Sequence, residues 1–133
     1  MRTLIVALAC TGVLTVAGPS GAAQISSPMI YGTLDQVLAE CSIFNGGAVA
    51  QVATVKLVSE FGDTIGPMTC GSGRLGAGEF CSLVTLIDNS TAYTCVVTAP
   101  SVTNLSAGLV FHRQVTDNSG ILVFHPIRFA PLR

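Results

Sequence analysis

From Val37 to the C-terminus, apolar and polar residues alternate with a period near two, and turn residues interrupt the alternation roughly every eight to twelve positions. The pattern predicts a strand over Leu38 to Phe44, then a turn at Asn45-Gly46-Gly47, whose residues tolerate positive φ. A long strand follows from Val49 to Phe61, where Ala53, Val55 and Leu57 interleave with Thr54, Lys56 and Glu60. Gly62-Asp63 turns the chain into a short strand at Ile65 to Cys70. Further strands are expected at Phe80 to Ile87, Ala92 to Thr98, Leu109 to Thr116 and Ile121 to Phe129. Thr33 to Glu40 reads either as a short helix, with Thr33 and Gln36 at capping-box spacing, or as an extended first strand. About seven short strands predict an all-β, immunoglobulin-like β-sandwich. The chain has no Trp, so the expectation concerns architecture and not descent.

The last hairpin carries both histidines, His112 and His125. A two-residue turn at Asn118-Ser119 would set them opposite each other. Asp117 and Gly120 favour instead a type I turn with a glycine bulge, which sets His125 against Arg113 and turns His112 to the other side of the sheet. That register gathers Leu109, Phe111 and Val115 on one face with Ile121, Val123, Ile127 and Phe129. A slip of one residue would turn every side chain over, so the apolar pattern selects the bulge.

Composition and compartment follow from the N-terminus. Arg2, the apolar run Leu4 to Ala17 and the small residues Gly21 and Ala23 read as a secretory signal peptide over 1–23, leaving one β-sandwich domain over 24–133. The run is short for a bilayer and ends at Gly18-Pro19, so no stable membrane insertion is expected after cleavage. Cys10 suggests a lipoprotein, but Ala7-Leu8-Ala9 fit that signal poorly. Without Arg2, the six basic residues become five against seven acidic ones, a net charge of −2. No basic patch exists to neutralise phosphates, which excludes a nucleic-acid partner.

Of five cysteines, Cys41, Cys70, Cys81 and Cys95 lie past the leader, and an even set in an exported chain predicts two disulfides. The stretch CGSGRLGAGEFC, residues 70–81, contains Gly71, Gly73 and Gly76 in the G-x-G-x-x-G spacing of a dinucleotide loop. That fingerprint works only between a buried strand and a helix, and Ala77-Gly78-Glu79-Phe80 begins no helix. Zinc sites want closer pairs or added histidines. The loop is expected to close a Cys70–Cys81 disulfide, leaving Cys41–Cys95 to join distant strands. Cys41–Cys70 with Cys81–Cys95 is the rival connectivity.

No nucleophile elbow or zinc-protease motif occurs, and no catalytic residue, cofactor or metal ligand is assigned. Asn89-Ser90-Thr91 and Asn104-Leu105-Ser106 match the glycosylation sequon and fall in turns. Cys41-Ser42-Ile43-Phe44-Asn45-Gly46-Gly47, then Ala77-Gly78-Glu79-Phe80-Cys81, then Cys95-Val96-Val97 give the chain its likeness to known proteins: it resembles small exported bacterial β-sandwich proteins of unknown function. The resemblance implies a fold and an extracellular or periplasmic location, and no activity.

Two functions are expected to compete. One is a non-catalytic, monomeric binding module that presents loops 71–80 and 98–108 to a protein or surface polymer. The other is a structural subunit that assembles through strand addition, with Ile121 to Phe129 as the edge and Pro126 marking it as one. A third, an enzyme inhibitor, would present Arg74 on the disulfide-closed loop.

Overall fold

The computed structural model describes residues 21–31, 34–88 and 90–132, with the backbone alone at 127–130. The expected leader, up to residue 20, lies outside the described residues, as do Thr33 of the capping box and Asn89 of the first sequon. Eight strands run in chain order: β1 (Ala23–Ser26), β2 (Gln36–Asn45), β3 (Thr54–Ser59), β4 (Thr64–Thr69), β5 (Phe80–Leu86), β6 (Tyr93–Ala99), β7 (Leu105–Thr116) and β8 (Leu122–Pro131). They form two four-stranded antiparallel sheets, ordered β1-β6-β3-β4 and β5-β2-β7-β8. The all-β sandwich is therefore as the alternation implies, and the described residues contain no helix.

Three elements differ from expectation. Gln36 to Glu40 is strand and part of β2, so the helical alternative for Thr33 to Glu40 falls. The long strand from Val49 shrinks to β3, because the chain at 47–49 bends and Gln51 instead pairs with Leu75 in an isolated bridge. The eighth strand is β1, whose first residue, Ala23, is the last residue of the expected leader.

The core lies between the sheets. Ile43 and Cys41 of β2, Val55 and Leu57 of β3, Cys95 and Val97 of β6, and Leu109 and Phe111 of β7 are essentially solvent-free. Each large apolar side chain so buried contributes about 1.5–3 kcal/mol. Both disulfides cross from sheet to sheet. Cys41–Cys95 links the central strands β2 and β6 with Cα atoms 5.5 Å apart, and Cys70–Cys81 links the end of β4 to β5 with Cα atoms 5.7 Å apart. The expected connectivity holds and the rival does not.

The β7–β8 hairpin turns as its Asp and Gly predict. Gly120 has φ +78° and donates to the Asp117 carbonyl at 3.0 Å, while the Asp117 carboxylate accepts from Ser119 and Ile121. Arg113 faces His125 and Val115 faces Val123. Beyond Pro126 the register slips again at Ile127, so Phe129 lies opposite Val110 and not Leu109. The single apolar face expected for the whole hairpin thus ends at this second bulge, and the side chains of Ile127 and Phe129 lie outside the described residues.

Candidate functional site

Strand β2 spans the sandwich from one end to the other, and a buried carboxamide sits at each of its termini. Asn45, fully buried, donates through Nδ2 to the carbonyls of Val49 (3.0 Å) and Leu75 (3.1 Å) and accepts from the Gly47 amide (3.0 Å). One side chain thereby fixes two loops, 46–53 and 71–79. Further backbone bonds tighten the same end: Gly78 donates to the Asn45 carbonyl, Gln51 and Leu75 exchange hydrogen bonds, and Gly46 donates to the Asn104 carbonyl. Arg74 donates from Nη2 to the Ala50 carbonyl at 2.7 Å. Of the loops expected to carry contacts, 71–80 lies at this end, whereas 98–108 shrinks to the 100–104 connection between β6 and β7; loop 46–53 is bonded to both.

Loop 46–53 and the turn between β6 and β7 bound a cleft of about 390 Å³ lined by Asn45, Gly47, Val49, Gln51, Ser101 and Asn104, among others. Its polar side chains are the amides of Gln51 and Asn104 and the hydroxyl of Ser101, beside the apolar Ala48 and Val49. Asn104, from the second sequon, stands exposed on its wall, and the Ser101 hydroxyl donates to that of Thr103. Such groups give and take hydrogen bonds without taking a proton near neutral pH.

The G-x-G-x-x-G glycines answer to geometry in this loop. Gly71 has φ +61°, and a Cβ there would sit 2.4 Å from the Arg74 carbonyl oxygen, so only glycine fits. The amide of Gly76, which a phosphate would need, already donates to Glu79 Oε2 at 2.7 Å. A carboxylate in that place repels an anion.

The opposite end is built differently. Gln36 is as buried as Asn45, and its Nε2 donates to the carbonyls of Asp88 (3.0 Å) and Thr91 (2.9 Å), pinning the β5–β6 turn. Glu60 accepts from the Ala92 amide at 3.1 Å and from the Tyr31 hydroxyl. The Tyr31 hydroxyl, and then the Ala92 amide, hold the Glu60 carboxyl below the usual carboxylate range, and the same bond to Glu60 raises the Tyr31 phenol. Tyr93 is buried, its ring centroid 6.4 Å from that of Phe111, and burial pushes its phenol up.

His112 and His125 do not meet. His112 lies on the outer face of the β5-β2-β7-β8 sheet with Nε2 3.1 Å from Glu40 Oε2, while His125 is exposed opposite Arg113. Among the described residues, no three His, Cys, Asp or Glu side chains cluster to hold a metal ion, and no helix is long and apolar enough to cross a membrane. The outer face also shows cross-strand apolar neighbours: Phe44 pairs with Phe80 and Leu38 with Leu86.

Sequence reasoning missed Asn45 and Gln36, the residues that organise both ends. Asn45 was legible: it shares the inward parity of Ala39, Cys41 and Ile43, and a polar side chain at an inward position calls for backbone partners. Gln36 was not, because a bulge between Gln36 and Leu38 reverses the parity.

No family model matches the chain, and no curated protein does. Among solved structures, the crystal structure of Thermotoga maritima 1070 aligns with a TM-score of 0.45 and 14% identity over 80% of this chain and 92% of that one, a likeness too distant to bear on what this chain does.

Proposed function

We propose that the protein is an exported, non-catalytic binding module whose loop end recognises a neutral, hydrogen-bonding group on a protein or a surface polymer. The observation that carries this reading is the cleft, with Gln51, Ser101 and Asn104 as its polar side chains, between loop 46–53, ordered by Asn45, and the β6–β7 turn, bonded to it from Gly46 to Asn104. Loops ordered before contact lose little entropy on binding. Two cross-sheet disulfides suit an oxidising compartment, in line with the leader read at 1–23. The immunoglobulin-like description is kept for the centre of the sandwich, where the bridge between β2 and β6 is preceded two residues earlier by the buried Tyr93. β7 and β8 depart from it by both joining the sheet of β2.

The test is an NMR titration of the oxidised protein with a panel of neutral oligosaccharides and uncharged peptides. Shifts gathered at Gln51, Ser101 and Asn104, and a roughly tenfold loss of affinity in Asn104→Ala, are expected for a lost hydrogen bond. Binding that maps to the opposite end would sink the reading.

A second reading, a subunit assembling through strand addition, draws on one observation: among the described residues, the outer strands β5 and β8 of the β5-β2-β7-β8 sheet each pair on one side only.

A further inference from the structure

We infer that β5 is an association edge and that its occupant is a second copy of this chain, joined through antiparallel β5–β5 pairing about a two-fold axis. The inference rests on the strand-addition reading and moves its site from β8 to β5.

The sandwich has four sheet edges, and three are blunted. β1 is only four residues long. β4 carries Gly66-Pro67 and a break in its register with β3. β8 has its prolines aimed outward. Asp117 donates to the Ile121 carbonyl and Leu132 to that of Ala107, which fixes the pairing so that residues 122, 124 and 126, and past the bulge 129 and 131, face the free edge. Pro126 and Pro131 therefore delete amides that an added strand would need.

β5 has none of these devices. Its sequence, FCSLVTL, contains no proline, glycine or charge, and it pairs with β2 over seven consecutive positions without a shift. Ile87 donates to the Val37 carbonyl and Asn45 to that of Glu79, so the odd-numbered residues face β2. Phe80, Ser82, Val84 and Leu86 turn their amides and carbonyls to the free edge. Among the described residues, no backbone group pairs with these amides. The same four side chains lie on the outer face, with Phe80 61%, Val84 51% and Leu86 76% exposed.

The edge is self-complementary, which selects a second copy. A two-fold centred on Leu83 sets Phe80 against Leu86 of the other copy and Ser82 against its Val84, so every outward amide meets an outward carbonyl. The aromatic–aliphatic pair falls on one face, where such cross-strand neighbours stabilise a sheet. An uncharged strand also brings no like charges together. The two loop ends then point in opposite directions, and neither cleft is covered by the pairing.

Analytical ultracentrifugation of the oxidised protein from an exporting host, from micromolar to millimolar concentration, tests this. The expected result is a reversible dimer that Val84→Pro abolishes, since it removes one outward amide and no bond to β2, and that Phe124→Pro, the equivalent change on β8, leaves intact. S82K/V84K sets like charges opposite each other at both symmetry-related pairs and should weaken the dimer roughly tenfold, whereas S82K/V84E sets opposite charges there and should restore it. These two variants keep the test valid if the proline disturbs folding. A wild-type monomer throughout overturns the dimer and the strand-addition reading together. A dimer kept by V84P and both charge variants but lost in F124P overturns β5 alone.

Discussion

The two ends of β2 solve one problem with one kind of side chain and present different surfaces. Asn45 and Gln36 each spend both amide hydrogens on two backbone carbonyls of neighbouring turns. At the Asn45 end the result is a cleft whose polar side chains are neutral, beside Ala48 and Val49, while Arg74 and Glu79 nearby are bonded to the loop backbone. At the Gln36 end Tyr31, Glu60 and the Asp35–Arg113 pair, 3.6 Å apart, crowd the surface with ionisable groups. A buried carboxamide therefore orders a turn without deciding its chemistry, which is set by the residues that the ordered backbone carries outward.

The largest effect should be common to both ends. Cys41 lies near the middle of β2, and C41A/C95A releases a long loop, costing about 4 kcal/mol. Denaturant melts should show this loss, with faster amide exchange at both ends. C70A/C81A should separate the ends. It costs about 3 kcal/mol, and its added exchange should stay within 46–53 and 71–79. Asn45→Ala strands two carbonyls and an amide and should cost close to that, about 3 kcal/mol, with loss of ligand binding at the cleft. Gln36→Ala strands the carbonyls of Asp88 and Thr91, should cost about 2 kcal/mol, and should leave the cleft's binding intact. Equal damage to binding from both substitutions would show that the ends are coupled.

The smallest effect belongs to the ionisable end alone. Glu60 titrates lower in the folded chain than in the unfolded one, so its contribution is present above the ordinary carboxylate range and is lost as pH falls through its depressed value. Tyr31→Phe removes the first cause of that depression. A carboxyl NMR titration should find Glu60 moved up, and the acid-dependent loss of stability should become smaller, because the folded and unfolded values lie closer together.

Much of this was written in the alternation. The strands from β2 onward, the sheet-to-sheet cysteines and the Asp117–Gly120 bulge all follow from period and turn chemistry. What was hidden depends on contacts between distant segments. Val49 looks like strand, yet its carbonyl is taken by Asn45 and its side chain is exposed, because the loop is needed elsewhere. β1 is too short to show a period and exists because β6 offers it an edge. The cleft lies between two segments, 45–51 and 101–104, whose meeting no local pattern records. The glycine spacing at 71–76 showed the reverse, a familiar motif produced by the backbone demands of a disulfide loop.

The Cys41–Cys95 bridge also decides how the domain would bear tension. Ala23 opposes Ala99, and Leu132 is bonded to Ala107, so both ends of the described chain leave from the loop end. Pulled apart there, β1 would peel from β6 and β8 from β7. The load would then pass through the sulfur–sulfur link, and the residues between the two cysteines, with the second bridge inside them, would carry none of it. Only the outer segments could lengthen, so a stretched protein would give way first at its edge strands, and the cleft would open only when the loaded segment past Cys95, with Ser101 and Asn104, drew away from loop 46–53.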